Sequence, residues 1–173
     1  PLLASGGGIT AVPGYNPATG LWCAAVPALD VPVQPDRLAA DMALYALRRT
    51  FRFFPFADAA RAAELGMDTV DLNASPGEDE SAFLMALLTA VCRPSLWLAP
   101  GLLVIAPAIS GSGSGKGLLV RAINAVAFGA APRAFTSGGT TAELEKRLGA
   151  ELSEAGPSVF LDNVNGVSLR SDT

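Results

Sequence analysis

No histidine occurs in the 173 residues of the chain. That absence removes histidine-based catalytic triads and most zinc sites, which use imidazole as base or ligand. Cysteine is nearly as scarce. Cys23 and Cys92 stand far apart, without the CxxC spacing of a redox pair or a metal knuckle. A reducing compartment, the cytoplasm, is the simplest expectation. Charge is sparse too: 16 % of residues are charged against 50 % apolar. This balance argues against disorder and against a solvated coil. The net charge of −4 gives no global attraction for nucleic acid or an anionic membrane, and leaves only local basic patches for that purpose. The most apolar window, LWLAPGLLVIAPAI (96–109), falls short of the ~20 residues a bilayer crossing needs, and prolines interrupt it. No secretory leader is expected.

What is present falls into three regions. Residues 1–35 are rich in proline and glycine, and GITAV and LWCAAV are expected to pair as a hairpin around PGYNPATG. Residues 36–95 read as mostly helical. DRLAADMALYALRR places Leu38, Met42 and Tyr45 on one helical face, with Asp36 as N-cap after Pro35. ADAARAAEL predicts a short helix ending at Gly66, GMDTVDLNASPGEDE (66–80) a polar loop, and SAFLMALLTAVC a third helix. From residue 96 to 173 the rhythm becomes strand, loop, helix. LLVIA (102–106) predicts a strand buried on both faces, and GLLVRAINAVAF (117–128) a buried helix. RAF (133–135) and SVFLDN (158–163) predict further strands on either side of a helix over 140–156. In that helix Thr140 and Glu143 have capping-box spacing, and Gly156–Pro157 closes it. Strands alternating with helices of this length predict an α/β fold with a parallel sheet.

One stretch carries chemistry: ISGSGSGKGLLVRAI (109–123). A phosphate is held by consecutive backbone N–H groups, and glycine lets the chain curl around the anion with no Cβ in the way. A helix starting there adds unsatisfied N–H donors and the positive end of its dipole. Gly111, Ser112, Gly113, Ser114, Gly115, Lys116 and Gly117 therefore form the candidate ATP-binding loop, with Lys116 reaching the terminal phosphates as a point charge. Measured against G-x-x-x-x-G-K-[ST], Gly115 and Lys116 match. Ser110 replaces the first glycine, and Gly117 replaces the Mg²⁺-binding hydroxyl. Asp162 closes the apolar run SVFLD, where an acid can orient Mg²⁺ through water as in a Walker B element. A strand-end turn acid is the plainer alternative for Asp162, and a surface lysine for Lys116.

The chain resembles P-loop ATPases of the primase/helicase type carried by bacterial phages, plasmids and integrative elements. The resemblance rests on PGYNPATGLW, FRFFPFADAARAAEL, LTAVCRPSLWLAPGLLVIAPAISGSGSGKGLLVRAI, PRAFTSGGTTAELEKRLGAEL and SVFLDNVNGVSLRSDT. It implies a P-loop NTPase domain of the AAA+ or helicase-like kind over 96–173, ATP with Mg²⁺, and DNA transactions of a mobile element. Lys116, Asp162 and Asn163 would be its catalytic residues. It also implies a homo-oligomer, and a continuation beyond Thr173 with a sensor strand and an arginine-bearing segment. Asn163 departs from the acid that often follows the Walker B Asp; an amide can orient a water but cannot take its proton. The G-K-G of nucleotide kinases keeps a phosphotransferase open as an alternative. A non-hydrolysing nucleotide-sensing module is the other.

Two further stretches have chemical readings. RRTFRFFPF (48–56) interleaves Arg48, Arg49 and Arg52 with four phenylalanines, a pattern that can grip single-stranded DNA. Core phenylalanines behind a helix C-terminus are the favoured alternative. The acids of GEDE (77–80) read as a helix start.

Overall fold

The computed structural model describes residues 2–3, 8–10, 12–24, 32, 34–107, 113–136, 141–154 and 156–164. The chain divides into two compact units, residues 1–103 and 104–173.

The first unit opens with two short antiparallel pairs. β1 (Leu2–Leu3) pairs with β2 (Ile9–Thr10), and β3 (Gly14–Asn16) with β4 (Leu21–Cys23). The side chain of Asn16 accepts from the Ala18 and Thr19 amides, and its carbonyl accepts from Gly20 N. This Asx turn closes the loop within four residues, so the strands are the residues flanking it rather than GITAV and LWCAAV in full. Ile9 and Thr10 pair with β1 instead.

α1 (Arg37–Phe51) starts as read, with Asp36 Oδ1 accepting from Ala39 N at 2.8 Å. Its predicted apolar face is formed but not packed: Leu38 and Met42 are about two-thirds exposed and Tyr45 about half. What α1 buries is Arg48.

The next segment corrects the sequence reading twice. The helix expected over ADAARAAEL is absent, and part of the expected polar loop is a strand. β5 (Arg61–Glu64) and β6 (Met67–Val70) form an antiparallel hairpin, with Arg61 opposite Val70 and Glu64 opposite Met67. Leu65 (φ 55°) and Gly66 (φ 77°) make the two-residue turn with both central residues left-handed, the geometry that matches strand twist. Alanine favours a helix here, but tertiary contacts outweigh that propensity. Thr69 and Val70 are buried, Thr69 Oγ1 donates to Ala62 O, and Val70 N donates to Arg52 O at 2.7 Å at the end of α1.

α2 (Glu78–Cys92) contributes the buried Phe83, Leu84 and Leu87, and Phe56 and Val70 are also buried in this unit. Phe51 packs edge-on to Phe83 with centroids 4.7 Å apart, and Phe56 lies 5.6 Å from the same ring. Of the four phenylalanines of 48–56, Phe56 is core, Phe51 and Phe54 are half-buried and Phe53 is exposed. Beyond a 3-10 turn at Arg93–Ser95, the strand expected over LLVIA is not formed: residues 101–107 take no regular structure, and Leu103 is about three-quarters exposed.

The second unit holds α3 (Lys116–Phe128), β7 (Ala134–Thr136), α4 (Thr141–Ser153) and β8 (Phe160–Asp162). β7 and β8 pair in parallel with Thr136 opposite Asp162, and α4 supplies the crossover that parallel strands require. Leu119, Ile123, Leu144 and Phe160 are its buried apolar residues, whereas Leu118 and Val126 are exposed. α3 is therefore buried along one stripe rather than all round. Thr140 of the expected capping box lies outside the described residues. Among the described residues the sheets are four two-stranded pairs, of which β7–β8 is the parallel one. No helix among them is long and apolar enough to cross a membrane.

Candidate functional site

The loop before α3 turns on glycine. Gly113 (φ 101°) and Gly115 (φ 82°) both occupy the left-handed region, which L side chains rarely adopt, and Gly115 is the N-cap of α3. Two such residues flank Ser114, and Lys116 follows as the first residue of the helix. Gly115 O accepts from Leu119 N at 3.0 Å, so the helix is hydrogen-bonded from its first turn. The N–H groups of that turn have no partner within the helix, as at any helix start. Lys116 is half-buried, and its Nζ donates to Ser114 Oγ at 3.1 Å, which folds the ammonium back over the loop. Gly117 has an ordinary backbone. A Cβ built there would meet Arg121 Nη1 at 3.7 Å, an ordinary contact. Ser110, Gly111 and Ser112 lie outside the described residues.

Asp162 stands exposed at the C-terminal end of β8, directly after the buried Phe160 and half-buried Leu161. Asn163 follows with φ 57°, a left-handed conformation that asparagine tolerates better than most side chains. The change of direction at Asn163 ends the strand and leaves both polar residues at its tip.

The sequence reading missed a tie between α3 and β8. Asn124, on the buried stripe of α3, donates through Nδ2 to Val120 O, while its Oδ1 accepts from the hydroxyl of Ser158, two residues before β8. A lone amide in the apolar run LLVRAINAVAF was the available signal. Nearby arginines are engaged elsewhere: Arg133 pairs with Glu154, and Arg147 pairs with Glu143 and donates to Thr136 O.

The arginines of the first unit are also largely committed. Arg48 is buried against Glu80, and Arg52 pairs with Glu64 while stacking on Phe53 at 4.3 Å. Of the cationic set read as a grip for single strands, only Arg49 stands exposed without such a bond. The acids of GEDE behave as a helix start, with Glu78, Asp79 and Glu80 in the first turn of α2. Among the described residues there is no cluster of three or more acidic or cysteine side chains placed to hold a metal. No protein-family model, curated protein or solved structure matches the chain.

Proposed function

We propose that the chain is the nucleotide-binding part of a P-loop ATPase of α/β architecture, working in the cytoplasm on ATP with Mg²⁺. One observation carries this reading: the left-handed Gly113–Gly115 turn starts α3 on Lys116 and folds its ammonium over the loop. A turn that only linked two elements has no need to bring a cation to a helix N-terminus, where backbone N–H groups already favour an anion.

The second unit supports the placement of the partner acid. Asn124 lies about 12 Å along α3 from Lys116 at the rise of a helix. Ser158 lies two residues before β8 and four before Asp162, about 13 Å away if the segment is fully extended. In this reading α3 runs antiparallel to β8, and the Asn124–Ser158 bond would then set Lys116 and Asp162 at the same end of the layer. That end is the carboxyl edge of the strands, where α/β proteins bind ligands. In this reading Gly111 to Gly117 wrap the phosphates and Lys116 contacts the β- and γ-phosphates. Asp162 holds a hydrated Mg²⁺ through water, and Asn163 orients the attacking water. Mg²⁺ suits a single carboxylate, because it keeps several waters and takes its other ligands from phosphate. When bound, the ion would neutralise charge on the phosphate oxygens.

A non-hydrolysing nucleotide sensor is the second reading. It is favoured by the amide of Asn163 in place of a carboxylate base. The helicase or primase-associated role, a single-stranded DNA partner and homo-oligomer assembly are proposed on the sequence resemblance alone.

Binding of a fluorescent ATP analogue to the wild type and to Lys116→Ala, with and without Mg²⁺, tests the reading. Saturable binding that Lys116→Ala abolishes is the expected result. Equal binding by both proteins, or none by either, would overturn it.

A further inference from the structure

We propose that Arg121 is a second phosphate-binding cation of the Lys116 loop, taking the place left by the hydroxyl that Gly117 lacks. The inference rests on the nucleotide-binding reading above and concerns how that site neutralises its ligand.

Gly117 is the starting point. Its φ is not positive, so no backbone requirement calls for glycine there, and in the first turn of a helix glycine is weaker than alanine. Steric crowding does not call for it either. Among the described residues, a Cβ at Gly117 would meet within 4 Å only Arg121 Nη1, at 3.7 Å, apart from its own chain neighbours and helix backbone. The bare surface at Gly117 is thus overlaid by a guanidinium from the next turn. Helical side chains lean toward the N-terminus, so Arg121 points back toward the loop.

Arg121 is also uncommitted. Among the described residues it has no hydrogen bond or ion pair, whereas Arg133 and Arg147, the other described arginines of the unit, each hold a glutamate. An unpaired guanidinium one turn behind Lys116 has the chemistry for phosphate: a fixed fork of donors, a permanent charge and a good bidentate fit to phosphate oxygens. Lys116 as a point charge and Arg121 as a fork would together offset much of the charge on a triphosphate tail. Such a site depends less on Mg²⁺ than one built around a metal-holding serine or threonine. Its ligand class is the nucleoside triphosphate, favoured over the monophosphate because both cations act on the tail.

The test is binding of the fluorescent ATP analogue in EDTA and in Mg²⁺ by wild type, Lys116→Ala, Arg121→Ala, Arg121→Gln and Arg121→Lys. Far-UV circular dichroism checks each fold. Arg121 is exposed, so its removal leaves the core untouched. Wild type is expected to bind in EDTA. Arg121→Ala and Arg121→Gln should bind about tenfold more weakly there, the size of one lost charge-assisted hydrogen bond. The loss should be smaller in Mg²⁺, and Arg121→Lys should recover part of it. Wild-type affinity in both neutral variants, with Lys116→Ala still defective, overturns the proposal and leaves the loop reading intact. Absence of binding by wild type overturns both.

Discussion

Arg48 and Glu80 meet through two bonds, Nε to Oε1 at 2.8 Å and Nη2 to Oε2 at 3.0 Å, and both side chains are almost wholly buried. The remaining guanidinium donors go to the carbonyls of Asp71, Leu72 and Ala74. All five donors of the fork are therefore used, and one residue fastens α1, α2 and the loop between β6 and α2 together. Truncating either partner strands a buried charge, at a cost of about 3–5 kcal/mol. Arg48→Ala and Glu80→Ala should each lower the unfolding free energy by that amount, read as a lower urea midpoint at unchanged slope. Arg48→Lys should rescue little, because an ammonium brings three donors where the fork brings five. A wild-type midpoint in any of these variants would show that the pair does not hold the unit together.

Asp58 and Gly77 define a second joint. Asp58 accepts from the amides of Glu78 and Asp79, capping α2 from a loop distant in sequence, while Gly77, the N-cap, has no side chain to do so. A Cβ on Gly77 would lie 2.5 Å from Asp58 Oδ1. Gly77→Ala must therefore expel the carboxylate and lose the cap, at about 0.5–2 kcal/mol, as must Asp58→Ala. Because both remove the same interaction, the double variant should be little worse than either single one. Additive losses in a denaturation cycle would separate the two residues.

Glu64 predicts a pH dependence. The Arg52 hydrogen bond to its carboxylate holds the pKa below the usual glutamate value; the charges of Arg52 and Arg49 act in the same direction, and desolvation opposes them. A pKa depressed in the folded state means that the unfolded chain takes up the proton first. The pair's stabilisation is then fully present above the ordinary glutamate pKa of about 4.3. It is lost as pH falls through the lower, folded value. Both side chains are partly exposed, so the effect should be small. Comparing Glu64→Gln with wild type by thermal melts, the gap in Tm should be open at pH 6 to 7. It should close progressively below about pH 4. A gap that widened in acid would contradict the assignment.

Local signals were legible and distant ones were not. The Asp36 cap placed α1, the acids of GEDE placed the start of α2, and the glycine–serine rhythm ahead of Lys116 placed the start of α3. The first and last are settled within a turn of the chain, whereas the cap of α2 comes from the distant Asp58. The β5–β6 hairpin was hidden by its alanines, because its strands are decided by the burial of Thr69 and Val70 and by a backbone bond to Arg52. Arg48 read as one of the arginines at a helix C-terminus, since its partner, Glu80, is brought to it only by the fold. At the candidate site Lys116 and Asp162 stood out by residue type. The position of Arg121 over Gly117 follows from helix geometry that no motif encodes.

Gly117 offers a way to rewrite the metal dependence of the proposed site. Gly117→Ser adds a Cβ whose nearest new neighbour, Arg121 Nη1, is at an ordinary contact distance, and its backbone conformation suits any residue. Replacing glycine inside the first turn should raise stability by about 0.5 kcal/mol through helix propensity alone. The added hydroxyl stands where a P-loop holds its Mg²⁺. In the nucleotide-binding reading, Gly117→Ser should therefore bind the ATP analogue more tightly with Mg²⁺ than in EDTA, by a wider margin than wild type. Stability and metal response come from different physical causes and can be read separately, by thermal melt and by titration. A more stable protein with an unchanged ratio of the two affinities would mean that position 117 does not face the metal, and that Gly115–Lys116 holds its phosphate in some other register.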